Sequence, residues 1–121
     1  MIFKNVKLFG EDFKFINADV AVENGIFSDS SNGEVLDCDG LMMIPGLVDV
    51  HTHGAIGIEA TDKGFEAVNA VSLFEAKHGI TTYLPTVATQ SKEVLIEAAE
   101  NIAYAKSKVE GAKIGGIHME G

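Results

Sequence analysis

From Gly46 onward the chain alternates strand-like and helix-like stretches, and no other feature limits its folding as strongly. "LVDVH" reads as an apolar strand. "TDKGFEAVNAVSLFEAKHG" reads as a helix, with Val68, Val71 and Phe74 recurring at helical spacing. "ITTYLPTVAT" is a second strand rich in β-branched residues, and a second helix follows with Leu95, Ala98, Ala99 and Ile102 along one stripe. Thr61 or Asp62 suits the first helix start and Ser91 the second; Gly79 and Gly111 suit the two stops. "KIGGIHMEG" reads as a third strand. A β-α-β-α-β order predicts an α/β fold of parallel strands with right-handed crossovers, built either as an open doubly wound sheet or as a closed barrel. In both, ligands gather at the carboxyl ends of the strands. No G-x-G-x-x-G lies between the first strand and helix, so nothing favours a dinucleotide site.

Before Gly46 the pattern is different. "MIFKNVKLF" and "DVAVENGIF" are short and β-like, and Asn24-Gly25 supplies the positive-φ pair of a tight hairpin. Pro45 and Gly46 interrupt that pattern, which predicts a small β domain over 1–45 and a separate β/α part over 46–121. A formal net charge of -9, with no concentrated basic face, argues against nucleic acid. One cysteine, Cys38, excludes an internal disulfide framework and is expected to pack. With no apolar signal core at the start and no apolar run near the ~20 residues of a membrane span, the expectation is a soluble cytoplasmic protein without a membrane partner.

The chemistry gathers at two strand ends. Side chains alternate across a strand, so His51 and His53 share a side, and strict alternation adds Asp49 two residues earlier. Two imidazoles so placed can hold one divalent metal, with Asp49 orienting them from behind; the alternative is a pair of histidines in a solvent-exposed loop. Gly54 lets the backbone turn away directly after them. Alternation in the third strand puts His118 and Glu120 on one side and Met119 on the other. A carboxylate at the inner end of a buried strand is costly without a cation, so Glu120 either holds metal or points to solvent. His118 is expected to orient a ligand or face substrate rather than ligate. His78, in a last helical turn, suits a cap complementing the helix dipole. Thr86 and Thr89 have no role fixed by the sequence.

Taken together, "IPGLVDVHTHG", "GITTYLPTVATQS" and "IGGIHMEG" resemble the amidohydrolase superfamily and, more narrowly, its N-acetylglucosamine-6-phosphate deacetylases. The resemblance implies a (β/α)8 barrel of TIM type beside a small β-sandwich domain, with the chain supplying the first three β/α units and part of the sandwich. It implies hydrolysis of N-acetylglucosamine 6-phosphate to glucosamine 6-phosphate and acetate. It also implies His51, His53 and Glu120 as ligands of one or two divalent ions, Zn or Fe, and a homo-oligomer, a dimer, as the assembly. The general acid/base, the later histidine ligands and the phosphate-binding residues are expected downstream of Gly121. The chain is therefore expected to be an N-terminal portion, inactive alone. The competing expectations are another amidohydrolase, dihydroorotase-like or dipeptidase-like, and a non-catalytic metal-binding or assembly module.

Overall fold

The Asn24-Gly25 pair turns the chain as its chemistry predicts. In the computed structural model, which describes residues 1–29 and 32–121, β1 (Ile2–Phe9) runs antiparallel to β2 (Phe15–Glu23), and β2 antiparallel to β3 (Ile26–Ser28). Glu23 faces Ile26 across a turn whose Asn24 and Gly25 sit at φ 52° and 76°. β4 (Val35–Asp37) and β5 (Met42–Met43) both lie parallel to β1 on its other edge, β4 beside Ile2–Lys4 and β5 beside Lys7–Leu8. Val6, Val20 and Cys38 are the buried residues of this sheet, with Phe3, Leu8, Ala18, Val22 and Met43 packed against them. Cys38 thus packs, as expected. These strands form one compact unit, Met1–Pro45, as a single five-stranded sheet; among the described residues it has no second sandwich layer.

The second unit, Gly46–Gly121, carries the β/α pattern. It begins with β6 (Leu47–Thr52), then a two-residue hairpin of β7 (Gly54–Ala55) and β8 (Ile58–Glu59), then helix α1 (Phe65–Lys77). β9 (Ile80–Val87), helix α2 (Lys92–Ala105), β10 (Lys113–Ile114) and β11 (His118–Met119) follow. β6 is parallel to β9 on one edge, and β10 and β11 are parallel to it on the other. The expected third strand is thus broken in two. Lys113 faces Thr82 and His118 faces Thr86, so one extra residue bulges out around Gly115-Gly116, where no side chain braces the ladder.

Ser91 caps α2 as expected, its hydroxyl accepting from Val94 N–H at 3.4 Å. The ends of α1 divide. At its close His78 Nδ1 donates to Phe74 O at 2.8 Å and Gly79 takes φ 86°, as the sequence predicts. At its start the expectation is corrected: the cap position is Gly64, with no side-chain bond. Asp62 is already committed, its Oδ2 accepting from Glu59 N–H at 2.9 Å in the preceding turn. Asn101 of α2 holds that loop instead, donating to the carbonyls of Asp62 and Gly64. α2 ends at Ala105 rather than Gly111, because Lys108 and Val109 both turn their N–H groups back to Ala105 O. Among the described residues no helix is long and apolar enough to cross a membrane.

Val68 and Val71 of α1, Tyr83 and Val87 of β9, and Ala98, Ile102 and Ala105 of α2 form the core of this unit with Ala112 and Ile114. Glu75 lies on the same face of α1 and is 6% exposed. Burial, and then the negative charge of Asp49, hold its carboxyl above the usual 4.5, with His78 opposing. A carboxyl with a raised folded pKa favours the folded state while protonated, and that advantage is lost as pH rises from 4.5 through the raised value. Glu75→Gln keeps the shape and removes the charge. We expect thermal melts of the two proteins to coincide near pH 4 and the variant to melt higher at pH 7; the same difference at both pH values would refute the assignment.

Candidate metal centre

Parallel pairing brings the carboxyl ends of β6 and β11 to one end of the sheet, with β9 between them. The Tyr83 hydroxyl donates to Val68 O on α1 at 3.3 Å, which marks the helix side of β9. Burial there pushes the phenol up to about 12, with the charge of Glu75 adding to it. Thr52 faces Pro85, two residues along from Tyr83, and so shares the helix side. His51 and His53 flank Thr52 and point the other way. On the opposite edge His118 faces Thr86 and Met119 faces the buried Val87, so His118 and Glu120 emerge on the histidine side as well. Gly54 then turns the chain at φ 136°, where an added Cβ would lie 2.0 Å from Ile58 O, so no other residue fits.

Three side-chain atoms converge there. His51 Nε2 lies 3.3 Å from His53 Nε2 and 3.0 Å from Glu120 Oε1, and His53 Nε2 lies 3.5 Å from the same oxygen. Ligands held ~2.1 Å from one ion at tetrahedral angles stand ~3.4 Å from each other, so the spacing fits a shared divalent cation. The donor set fits too: two neutral imidazoles supply lone pairs and one carboxylate supplies charge. Among the described residues these three form the one group of His, Cys, Asp or Glu that can hold a metal, and all three are exposed.

No family model matches the chain. Among curated proteins it is 33% identical over 84 residues to the N-acetylglucosamine-6-phosphate deacetylase of Bacillus subtilis, which covers 66% of this chain and 21% of that protein. It is 28% identical over 125 aligned positions to the enzyme of the same name from Danio rerio, covering 99% of this chain and 31% of the relative. The chain is a homologue of N-acetylglucosamine-6-phosphate deacetylase. The fold agrees: the crystal structure of the deacetylase from Pasteurella multocida superposes with a TM-score of 0.85 at 21% identity, over 99% of this chain and 34% of that one. The chain thus spans about a fifth to a third of the length of the deacetylases it matches.

Two residues of this deacetylase homologue surround the three without joining them. Asp49 is not on the histidine side, a correction to strict alternation. It faces Tyr83, and pairing with β9 slips between Asp49 and Thr52, which leaves two residues three apart on one side. Its Oδ1 accepts from the backbone N–H of His51 at 2.9 Å, and its charge is felt by Glu75 of α1. His118 stays on the histidine side, its Nδ1 donating to Val50 O at 3.1 Å and its ring edge-on to His51 with centroids 4.6 Å apart. A groove beside His53 and Glu120 is lined by Glu59, Thr61, Thr86 and Gln90. Alternation from Tyr83 could have placed Thr86 there. Nothing local in the sequence points to Glu59, Thr61 or Gln90, which reach the groove through the β7–β8 hairpin and the loop before α2.

Proposed function

We propose that this chain is the part of a metal-dependent N-acetylglucosamine-6-phosphate deacetylase that supplies His51, His53 and Glu120 as metal ligands. The observation that carries the reading is the convergence of those three atoms at 3.0–3.5 Å in a homologue of enzymes bearing that name. The parallel β6–β9–β10/β11 sheet with α1 and α2 supports assigning the second unit to the opening strands of a (β/α)8 barrel, whose carboxyl ends carry the site. Zn²⁺ and Fe²⁺ both accept this donor set, as one ion or two. A bound divalent ion polarises an amide carbonyl and lowers the pKa of water from 15.7 towards about 7.

In the proposed reaction water adds to the acetamide carbonyl, the C–N bond breaks, acetate leaves with the water oxygen, and the amine takes up a proton. His51 and His53 present unprotonated nitrogens, and Glu120 offsets cationic charge. Thr61 and Gln90 offer hydroxyl and amide groups to sugar hydroxyls along the groove. Among the described residues no Lys or Arg lines that groove. The 121-residue chain alone is expected to bind metal and release no acetate. Grafted over the aligned segment of the Bacillus subtilis relative, it is expected to restore acetate release from N-acetylglucosamine 6-phosphate but not from the unphosphorylated sugar. Acetate release by the isolated chain, or a folded, metal-loaded hybrid with no activity, would overturn the proposal.

A further inference from the structure

We infer that Asp49 and His118 are positioning residues which together clamp the Val50–His51 peptide and so aim the His51 imidazole at Glu120; the inference rests on reading His51, His53 and Glu120 as metal ligands. The strands that carry those ligands are not neighbours, since β6 and β11 each pair with β9. At ~4.8 Å per strand step their backbones lie ~10 Å apart. Yet His51 Nε2 and Glu120 Oε1 are 3.0 Å from each other. The sheet ladder does not by itself set that approach, because its pairing slips between Asp49 and Thr52, around His51.

At the slip, two side chains hold the backbone. Asp49 Oδ1 accepts from His51 N–H at 2.9 Å on the helix side, and His118 Nδ1 donates to Val50 O at 3.1 Å on the ligand side. These two backbone groups belong to one peptide unit, and in a trans peptide they point in opposite directions. Held at both ends, the plane cannot rotate, which fixes where the Cα–Cβ bond of His51 points. The bond to a carbonyl also requires the hydrogen on Nδ1 of His118. The His118 ring, edge-on to His51 at 79°, blocks the imidazole from swinging toward β11. His118 therefore ties β6 directly to the strand that presents Glu120, without ligating.

The test uses Co²⁺ as the probe, with affinity measured by chelator competition and geometry by the visible spectrum. A second readout needs no metal: hydrogen exchange at the His51 amide. His118→Phe keeps a ring against His51 but loses the donor, whereas His118→Asn keeps a donor near the Nδ1 position; Asp49→Ala and Asp49→Asn form the matching pair. Loss of a group that orients a ligand typically weakens metal binding about 10–100-fold, and that is the loss expected for His118→Phe and Asp49→Ala, with an altered Co²⁺ spectrum and faster His51 exchange. Both Asn variants are expected to recover most of it. Parent-like Co²⁺ affinity and His51 exchange in His118→Phe would overturn the clamp, as would His118→Asn proving folded but as weak as His118→Phe. If the parent binds no Co²⁺ while His51 exchange responds as expected, the clamp is upheld and the ligand reading falls.

Discussion

Glu120→Ala is expected to abolish tight metal binding while leaving the fold intact. Glu120 follows β11, carries a side chain about one-third exposed, and belongs to neither buried cluster. Its removal in the absence of metal should therefore sit within the about ±0.5 kcal/mol usual for surface substitutions. The effect on the ion is of another order. Glu120 supplies the one negative charge of the group and joins β11 to the two histidines of β6, so its loss leaves two exposed imidazoles on a single strand end. The fall in affinity should exceed the roughly 10–100-fold that follows loss of an orienting group. Glu120→Gln, which keeps an oxygen ligand without the charge, should fall between. Because ligands bind metal only when unprotonated, uptake releases protons, and calorimetric titration in buffers of different ionisation enthalpy counts them. Parent-like Zn²⁺ affinity in Glu120→Ala would remove the site from this part of the chain.

Side-chain alternation made the two strand-end pairs legible, because the members of each pair stand two residues apart and reach the same side. Asp49 was not legible by the same rule: it stands two residues before His51, but pairing with β9 slips between Asp49 and Thr52. A local signal was present all the same. A short carboxylate readily accepts the backbone N–H two residues on, and that bond is what Asp49 makes. The helix ends show the same division. Ser91 caps its helix with its hydroxyl on Val94 N–H, whereas Asp62 is drawn into the preceding turn by Glu59 N–H. Glu75 is the instructive omission, since it falls four residues after Val71 on the buried stripe of α1. Its charge marks it for the surface; its phase buries it. The short strands β4 and β5 depend on pairing with a strand more than thirty residues earlier, which no local pattern encodes.

Ile102→Ala is expected to cost about 2–5 kcal/mol, the range for truncating a fully buried aliphatic side chain. Ile102 is 1% exposed and shares its cluster with Val68 and Val71 of α1 and Tyr83 and Val87 of β9, so the cavity opens where both helices meet the sheet. Ile96, on the same helix, is 49% exposed, and Ile96→Ala is the matched control that should change stability little. A loss of that size is a large share of the 5–15 kcal/mol that typically holds a domain together. It falls on the unit that carries His51, His53 and Glu120, the proposed metal ligands, and that link makes the experiment diagnostic. An ion that binds only the folded state adds stability as RT ln(1 + [L]/Kd), about 2.7 kcal/mol at a hundredfold excess over Kd. Saturating Zn²⁺ should therefore raise the melting temperature of Ile102→Ala and restore part of what the cavity removed, while the double variant Ile102→Ala, Glu120→Ala should show no such rise. A rise of equal size in both would mean that the ion stabilises the unit from somewhere other than His51, His53 and Glu120.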